Sequence, residues 1–324
     1  MVRPCLQSRR NNLAPALCGR GTIAKVIARR SILFLILTAI PAIAAAQTVS
    51  NFVTQDTIRQ RLNLYKGNDT KREATLKQLF FDAGCPVASL IEQPLPKKKQ
   101  PNVICTLSGA TGKIVVVGAH FDHVDRGDGI VDNWSGASLL PSLFQALSTN
   151  RRKHTFIFVG FSSEENGLFG SKFYVEQLPA SERSKIEAVI NLDTLGLGPT
   201  EVWLSQSDPR LSKLLNGVAL SMNLSLTGME LNGYGESDEE SFIREKICTL
   251  TVHSITSSTA NILHQPSDNL SAIQFKDYFD TYRLLSAYLS VLDSVRVPEG
   301  HVCTAKPVDL PPSRYVWLFP GFRR

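Results

Sequence analysis

Hydrophobic residues along this chain fall into two alternating patterns. Short apolar runs at 114–117 (IVVV), 154–160 (HTFIFVG), 187–192 (EAVINL) and 247–252 (ICTLTV) read as strands. Between them, apolar residues recur at helical spacing over 134–147, 171–177, 208–219 and 276–294, the last of these long and amphipathic. Two further helical stretches, 51–65 and 69–82, precede weaker strand-like runs near Ala88 and Val103, and a short strand is expected near Val202. Strands alternating with helices predict an α/β fold. The expectation is a single domain with a central, mostly parallel (mixed) sheet flanked by helices.

Where the chain leaves these strands it carries residues that ligate metals. The stretch 118–138 reads GAHFDHVDRGDGIVDNWSGAS and places His120, Asp122 and Asp132 between a strand and the helix that begins at Trp134. Glu164 and Glu165 follow the 154–160 strand, Asp193 follows 187–192, and His264 lies in the loop after 247–252. Each falls at the carboxyl edge of a parallel sheet, where open α/β sheets bind ligands. Taken singly, each has a blander reading: His120 as an ordinary strand-end residue, Asp132 as a helix N-cap, the Glu164–Glu165 pair as a solvated loop, His264 as a surface residue. Together they form the nitrogen and carboxylate donor set that zinc takes. Two ions fit the inventory, with one bridging carboxylate and one spare glutamate to serve as general base for the attacking water. His123 is read as a loop residue, His154 as structural, His253 as a weaker candidate beside the site, and His301 as inert.

In order and spacing, the segments GAHFDHV, VDNWSGAS, FSSEENGLFGS, NLDTLG and ILHQPSDN resemble those of secreted di-zinc aminopeptidases, the co-catalytic zinc exopeptidases related to glutaminyl cyclase. The resemblance covers about residues 60–295. It implies that His120 and Asp193 bind one zinc, that Glu165 and His264 bind a second, and that Asp132 bridges them. It implies that Glu164 is the base acting on a bridging water, and that Asp122 orients the His120 imidazole. It also implies a cis peptide at Asp132–Asn133. Asn133-Trp134-Ser135 matches a glycosylation sequon, but a glycan beside the bridging ligand would block the site, so that reading is set aside. One segment departs from the family pattern. GYGESDEESF has Glu239 after Ser237-Asp238, where relatives commonly carry His or Gln. Tyr234, Asp238 and Glu239 are therefore expected at the substrate pocket, with Tyr234 as a hydrogen-bond donor. The implied substrate is a peptide with a free N-terminus. Competing readings are a one-zinc glutaminyl cyclase, a non-catalytic binding ectodomain and a carboxypeptidase. The ligands and base are all in place, and no arginine cluster accompanies the motifs.

Composition adds compartment. The 324-residue chain is 43% hydrophobic, enough for a sizeable core. Its net charge of +6 is misleading, because residues 1–46 hold seven basic residues and no acid, and without them the charge is −1. Nucleic acid is therefore not an expected partner. Lys97-Lys98-Lys99 reads as a solvated loop. Basic residues ending at Arg29-Arg30, an apolar segment broken by Pro41, and Ala44-Ala45-Ala46 have the layout of a signal peptide cleaved before Gln47. The segment is too short and broken for a stable membrane span. The expected organisation is a presequence at 1–46, an exopeptidase domain at 47–297 and a tail at 298–324, with the product exported to the periplasm or beyond. Four cysteines remain in such a product, an even number compatible with disulfides. Cys85 and Cys105 flank two strand-like runs and suit a bridge, while Cys248, inside an apolar strand, reads equally as a buried free thiol.

Overall fold

The computed structural model describes residues 52–65, 67–231, 235–295 and 303. The expected presequence, Tyr234 and the tail other than Cys303 lie outside them. Helix α1 (Gln55–Leu62) follows N-cap Thr54, whose side chain accepts from the Thr57 amide, and α2 (Asp69–Asp82) follows N-cap Asn68. Then come β1 (Leu90–Gln93), β2 (Asn102–Leu107) and β3 (Ile114–His120). A distorted turn, Ile130–Trp134, leads into α3 (Ser135–Ser148). Strand β4 (Thr155–Phe161) precedes α4 (Phe169–Gln177) and the short α5 (Ala180–Arg183). The remainder is β5 (Ile186–Leu192), β6 (Thr200–Trp203), α6 (Pro209–Ser221), β7 (Leu226–Met229), α7 (Glu239–Arg244), β8 (Thr249–His253) and α8 (Phe275–Ser294).

The eight strands form one sheet in the order β1-β2-β4-β3-β5-β8-β6-β7. The centre, β4-β3-β5-β8, is parallel; β1 pairs antiparallel with β2, β2 with β4 and β6 with β8, while β6 and β7 are parallel. Every residue of β3 is buried, as a central parallel strand covered on both faces requires. Its side chains alternate between two cores. Val115 and Val117 pack with α1, α2, α3, α6 and α8, whereas Ile114 and Val116 pack with Tyr174 and Val175 of α4 and Phe242 of α7. Each fully buried Val, Leu or Phe there contributes about 1.5–3 kcal/mol.

The pattern of hydrophobicity missed β7 and α7. Strand β7 is four residues with Gly228 inside it, and α7 is a six-residue helix beginning in acids, so neither reaches the length at which periodicity reads. Cys85 and Cys105 are joined by a disulfide between the end of α2 and β2. Cys248 is not a free thiol: it is bonded to Cys303, which ties residue 303 to the start of β8. Among the described residues no helix is long and apolar enough to cross a membrane.

His154, at the root of β4, joins three elements. Its Nδ1 lies 3.1 Å from Asp293 of α8 and its Nε2 lies 3.0 Å from Glu187 of β5. Both nitrogens can donate only when the ring is protonated. The Asp293 hydrogen bond raises its pKa, burial opposes, and Glu187 adds to the rise. A raised folded-state pKa contributes stability that is fully present below the unfolded value of 6.5 and lost as pH rises through the folded value. His154→Gln is expected to cost about 1–2 kcal/mol at pH 6 and to flatten the fall in stability above pH 6.5. Urea unfolding at a series of pH values checks both, and an unchanged slope in the variant would assign the pH dependence elsewhere.

Candidate metal centre

Four strand ends deliver the predicted residues to one place. His120 is the last residue of β3; Glu164 and Glu165 follow β4, Asp193 follows β5, and His264 comes from the loop after β8. Asp132 sits in the distorted turn before α3, where the Asp132–Asn133 peptide is cis, as the resemblance implies. Asp132 lies between the histidines: its Oδ1 is 3.2 Å from His120 Nε2 and its Oδ2 is 3.2 Å from His264 Nε2. Asp193 Oδ1 is 3.6 Å from His120 Nε2, and Glu165 Oε2 is 3.1 Å from His264 Nε2. Two candidate metal-binding groups result, His120–Glu164–Asp193 and Asp132–Glu165–His264, the ligand atoms of each lying within 4.8 Å of one another. Glu164 Oε2, at 4.0 Å from His120 Nε2, is farther from that ring than Asp132 is.

The electrostatics suit a cation. Burial works to lower the His120 pKa, but Glu164, Asp122, Asp132 and Asp193 outweigh it and leave the imidazole well above its ordinary value. Hydrogen bonds donated to Asp132 and Glu165 push His264 up to about 10. Burial, assisted by the charges of Asp238, Asp193 and Asp132, pushes the Glu164 carboxyl up to about 10 against the pull of His120. Burial also acts to raise Asp132, yet its two histidines hold it well below the usual carboxylate range. The convergence of carboxylates on two histidines favours positive charge at this place, and the nitrogen and oxygen donors fit zinc.

The residues around the ligands differ in part from expectation. Asp122 is buried beside His120, but its carboxylate is 3.7 Å from Nδ1, too far for a good hydrogen bond. Its backbone carbonyl is closer, at 3.2 Å. The carboxylate instead accepts the Glu164 amide at 3.0 Å and the Glu165 amide at 3.2 Å. Asp122 thus holds the turn that presents the two glutamates, with one amide on each of its oxygens. Asp238 and Glu239 are not on the cavity wall; that segment contributes Gly235, Glu236 and Ser237, and the two acids are buried behind it. Burial pushes Asp238 up to about 7 and Glu239 up to about 8. His123 pairs with Asp69 at 2.8 Å, away from both groups. His253 is buried at the end of β8, accepts the Ile255 amide at Nδ1 and is driven down to about 3 by burial, so it stays neutral.

Several supports carry no sequence signal of their own. Asp268 accepts the Val131 amide at 2.7 Å and the Asp132 amide at 3.2 Å, fixing the backbone at Asp132. It lies in HQPSDN, the one hint available. Asn133 accepts the Gly136 and Thr194 amides and donates to the Leu192 carbonyl, so both polar atoms of its buried amide are partnered. Arg72 of α2 donates to the Phe121 and Asp128 carbonyls on both sides of the His120 loop. Gly127, at φ +87°, lets that loop meet the His264 loop; a Cβ there would stand 2.2 Å from the Gln265 carbonyl oxygen.

The sequence model of Peptidase family M28 matches residues 102–289. The chain belongs to this family. Among curated relatives, the M28 chain is 33% identical over 155 residues to leupeptin-inactivating enzyme 1 of Streptomyces exfoliatus, covering 42% of this chain and 34% of that protein. It is 38% identical over 96 residues to leucine aminopeptidase 2 of Trichophyton equinum, covering 29% and 19%. The match thus spans about a third or less of these relatives' length. In fold, the M28 chain resembles the LapA aminopeptidase of Legionella pneumophila, with a TM-score of 0.67, 22% identity and coverage of 79% of this chain and 75% of that one. It also resembles the glutaminyl cyclase of Macrostomum lignano, with a TM-score of 0.62, 15% identity and coverage of 78% and 94%.

Proposed function

We propose that this M28 protein is an exported, zinc-dependent aminopeptidase that removes N-terminal residues from peptides. The observation that carries the reading is the wall of the cavity beside the candidate ligands. It encloses about 550 Å³ and carries Asp132, Glu164, Glu165, Asp193 and Glu236, with no lysine or arginine among the described lining residues. With Asp132, Glu165 and Asp193 shared with metal, Glu236 remains outside the donor set and no described lysine or arginine is there to hold a terminal carboxylate, which favours a substrate ammonium. Its far side is apolar, with Trp203, Leu231, Ile255 and Leu263, and suits an apolar first side chain. Asp132 as bridge, His120 with Asp193, and His264 with Glu165 would hold two zinc ions, which supply Lewis acidity to the attacking water and the scissile carbonyl. Cations held by Asp132 and Asp193 would offset the carboxylate repulsion that raises Glu164 and favour its ionised form, which takes the proton from that water and passes it to the leaving amine. Asp122 keeps Glu164 and Glu165 in register through their amides. Asp193 and Glu165 face the free α-amine of the substrate and select for it.

The test incubates the chain from Gln47, loaded with zinc, with short peptides bearing N-terminal Leu, Arg or Gln and with an acetylated control, and follows products by mass. Loss of single N-terminal residues, fastest from Leu and abolished by acetylation, is expected. Loss of ammonia from the Gln peptide alone would make the protein a cyclase, and trimming from the other end would make it a carboxypeptidase.

A further inference from the structure

A chain of hydrogen bonds leads from Asp193 to the residue that departs from the family pattern. Ser237 Oγ donates to Asp193 Oδ2. Asn191 Nδ2 donates to Ser237 Oγ at 2.9 Å and to Glu239 Oε2 at 2.7 Å. Asn191, Ser237 and Glu239 are all buried, so water does not compete for these bonds.

Counting protons fixes the direction of the relay. An amide NH2 has two hydrogens, and both are committed here. Ser237 Oγ already accepts one of them, so its own single proton is left for Asp193. Asp193 Oδ2 is thereby occupied, and Oδ1, which accepts from the Thr194 hydroxyl at 3.1 Å, is the oxygen turned towards His120. Were the Asn191 amide to turn over, its carbonyl would face Ser237 and Glu239. Ser237 would then donate to Asn191 and release Asp193. Ionised, as it is above about pH 8, the Glu239 carboxylate offers only acceptor oxygens to Asn191 and opposes that turn, because two acceptor oxygens would meet in a buried place. A glutamine in the same position could answer either face of the amide.

We propose that Glu239 is a positioning residue: by fixing the Asn191 amide it directs the Ser237 hydroxyl onto Asp193, so that a single oxygen of Asp193 is presented to the metal. The proposal rests on the zinc reading of the site. Removing a hydrogen-bond partner of a metal ligand typically costs about 10- to 100-fold in metal affinity, and a residue one step further out costs less.

The test measures zinc affinity directly at about pH 9, where Glu239 is ionised, by chelator competition on the metal-free protein, for wild type, Glu239→Gln, Ser237→Ala and the double variant. Melting temperatures in chelator monitor the fold, and Glu239→His stands in should the Gln variant fail to fold. Ser237→Ala is expected to weaken one zinc site by about 10- to 100-fold and Glu239→Gln by about 3- to 10-fold. The double variant should bind no more weakly than Ser237→Ala alone, because Glu239 acts only through Ser237. Wild-type affinity in Glu239→Gln, or a Glu239 effect that persists without the Ser237 hydroxyl, would overturn the proposal while leaving the zinc site intact. A wild-type protein that takes up no zinc would overturn the zinc reading and this proposal with it.

Discussion

Replacing Glu164 by Gln is expected to lower the turnover of a Leu peptide by about 10²- to 10⁴-fold, the range spanned by general acid–base catalysis, while leaving the zinc content unchanged. Gln keeps the shape of the side chain and loses its ability to accept and return a proton. The backbone should not move, because the Glu164 amide is held by Asp122 whatever its side chain. Metal should be retained, because Asp132 Oδ1 lies nearer than Glu164 to His120 Nε2, at 3.2 Å against 4.0 Å. The effect should fall on kcat with KM changing little, the mark of an interaction made in the transition state. Single-turnover rates and metal analysis of the purified variant check this. Normal turnover would remove Glu164 from the role of base. Loss of one zinc would make it a ligand instead, which its place in the His120–Glu164–Asp193 group makes a real alternative.

The central strands and the residues at their ends were readable because burial on both faces leaves a continuous apolar run, and such a run stops abruptly where chemistry begins. The interruption of IVVVGA by His120, of HTFIFVGF by Glu164 and Glu165, and of EAVINL by Asp193 gave the positions that the structure brings together. What was not readable depends on partners far off in the chain. Asp122 stands two residues from His120, the spacing of an imidazole orienter, but its partners are backbone amides 42 and 43 residues away, and backbone donors have no residue type to betray them. Asp238 and Glu239 look like pocket acids, because carboxylates in a loop are ordinarily solvated; only the packing of α7 against the sheet shows them to be buried. The partner of Cys248 was hidden for a related reason: an apolar strand conceals which of its side chains faces a distant cysteine.

Asp132→Ala should have a still larger effect, abolishing measurable peptidase activity and depriving the protein of tightly held metal. Each oxygen of Asp132 faces a different histidine at 3.2 Å, so one truncation removes the carboxylate that both sides would share. What remains on one side is His120 and Asp193, and on the other Glu165 and His264, too few donors to close a zinc site. The backbone should survive, because the Val131 and Asp132 amides are anchored by Asp268 and not by the Asp132 side chain. Thermal unfolding separates these effects. A ligand bound only by the folded state stabilises it by about 2.7 kcal/mol at a hundred times its Kd. Wild type should therefore melt markedly higher in zinc than in chelator, and the variant should melt at one temperature in both. Asp132→Asn, which keeps one oxygen, should recover zinc on one side and little activity. An alanine variant that still bound two ions at wild-type affinity would show that Asp132 does not join the two groups, and the centre would have to be redrawn as two separate sites that share a cavity.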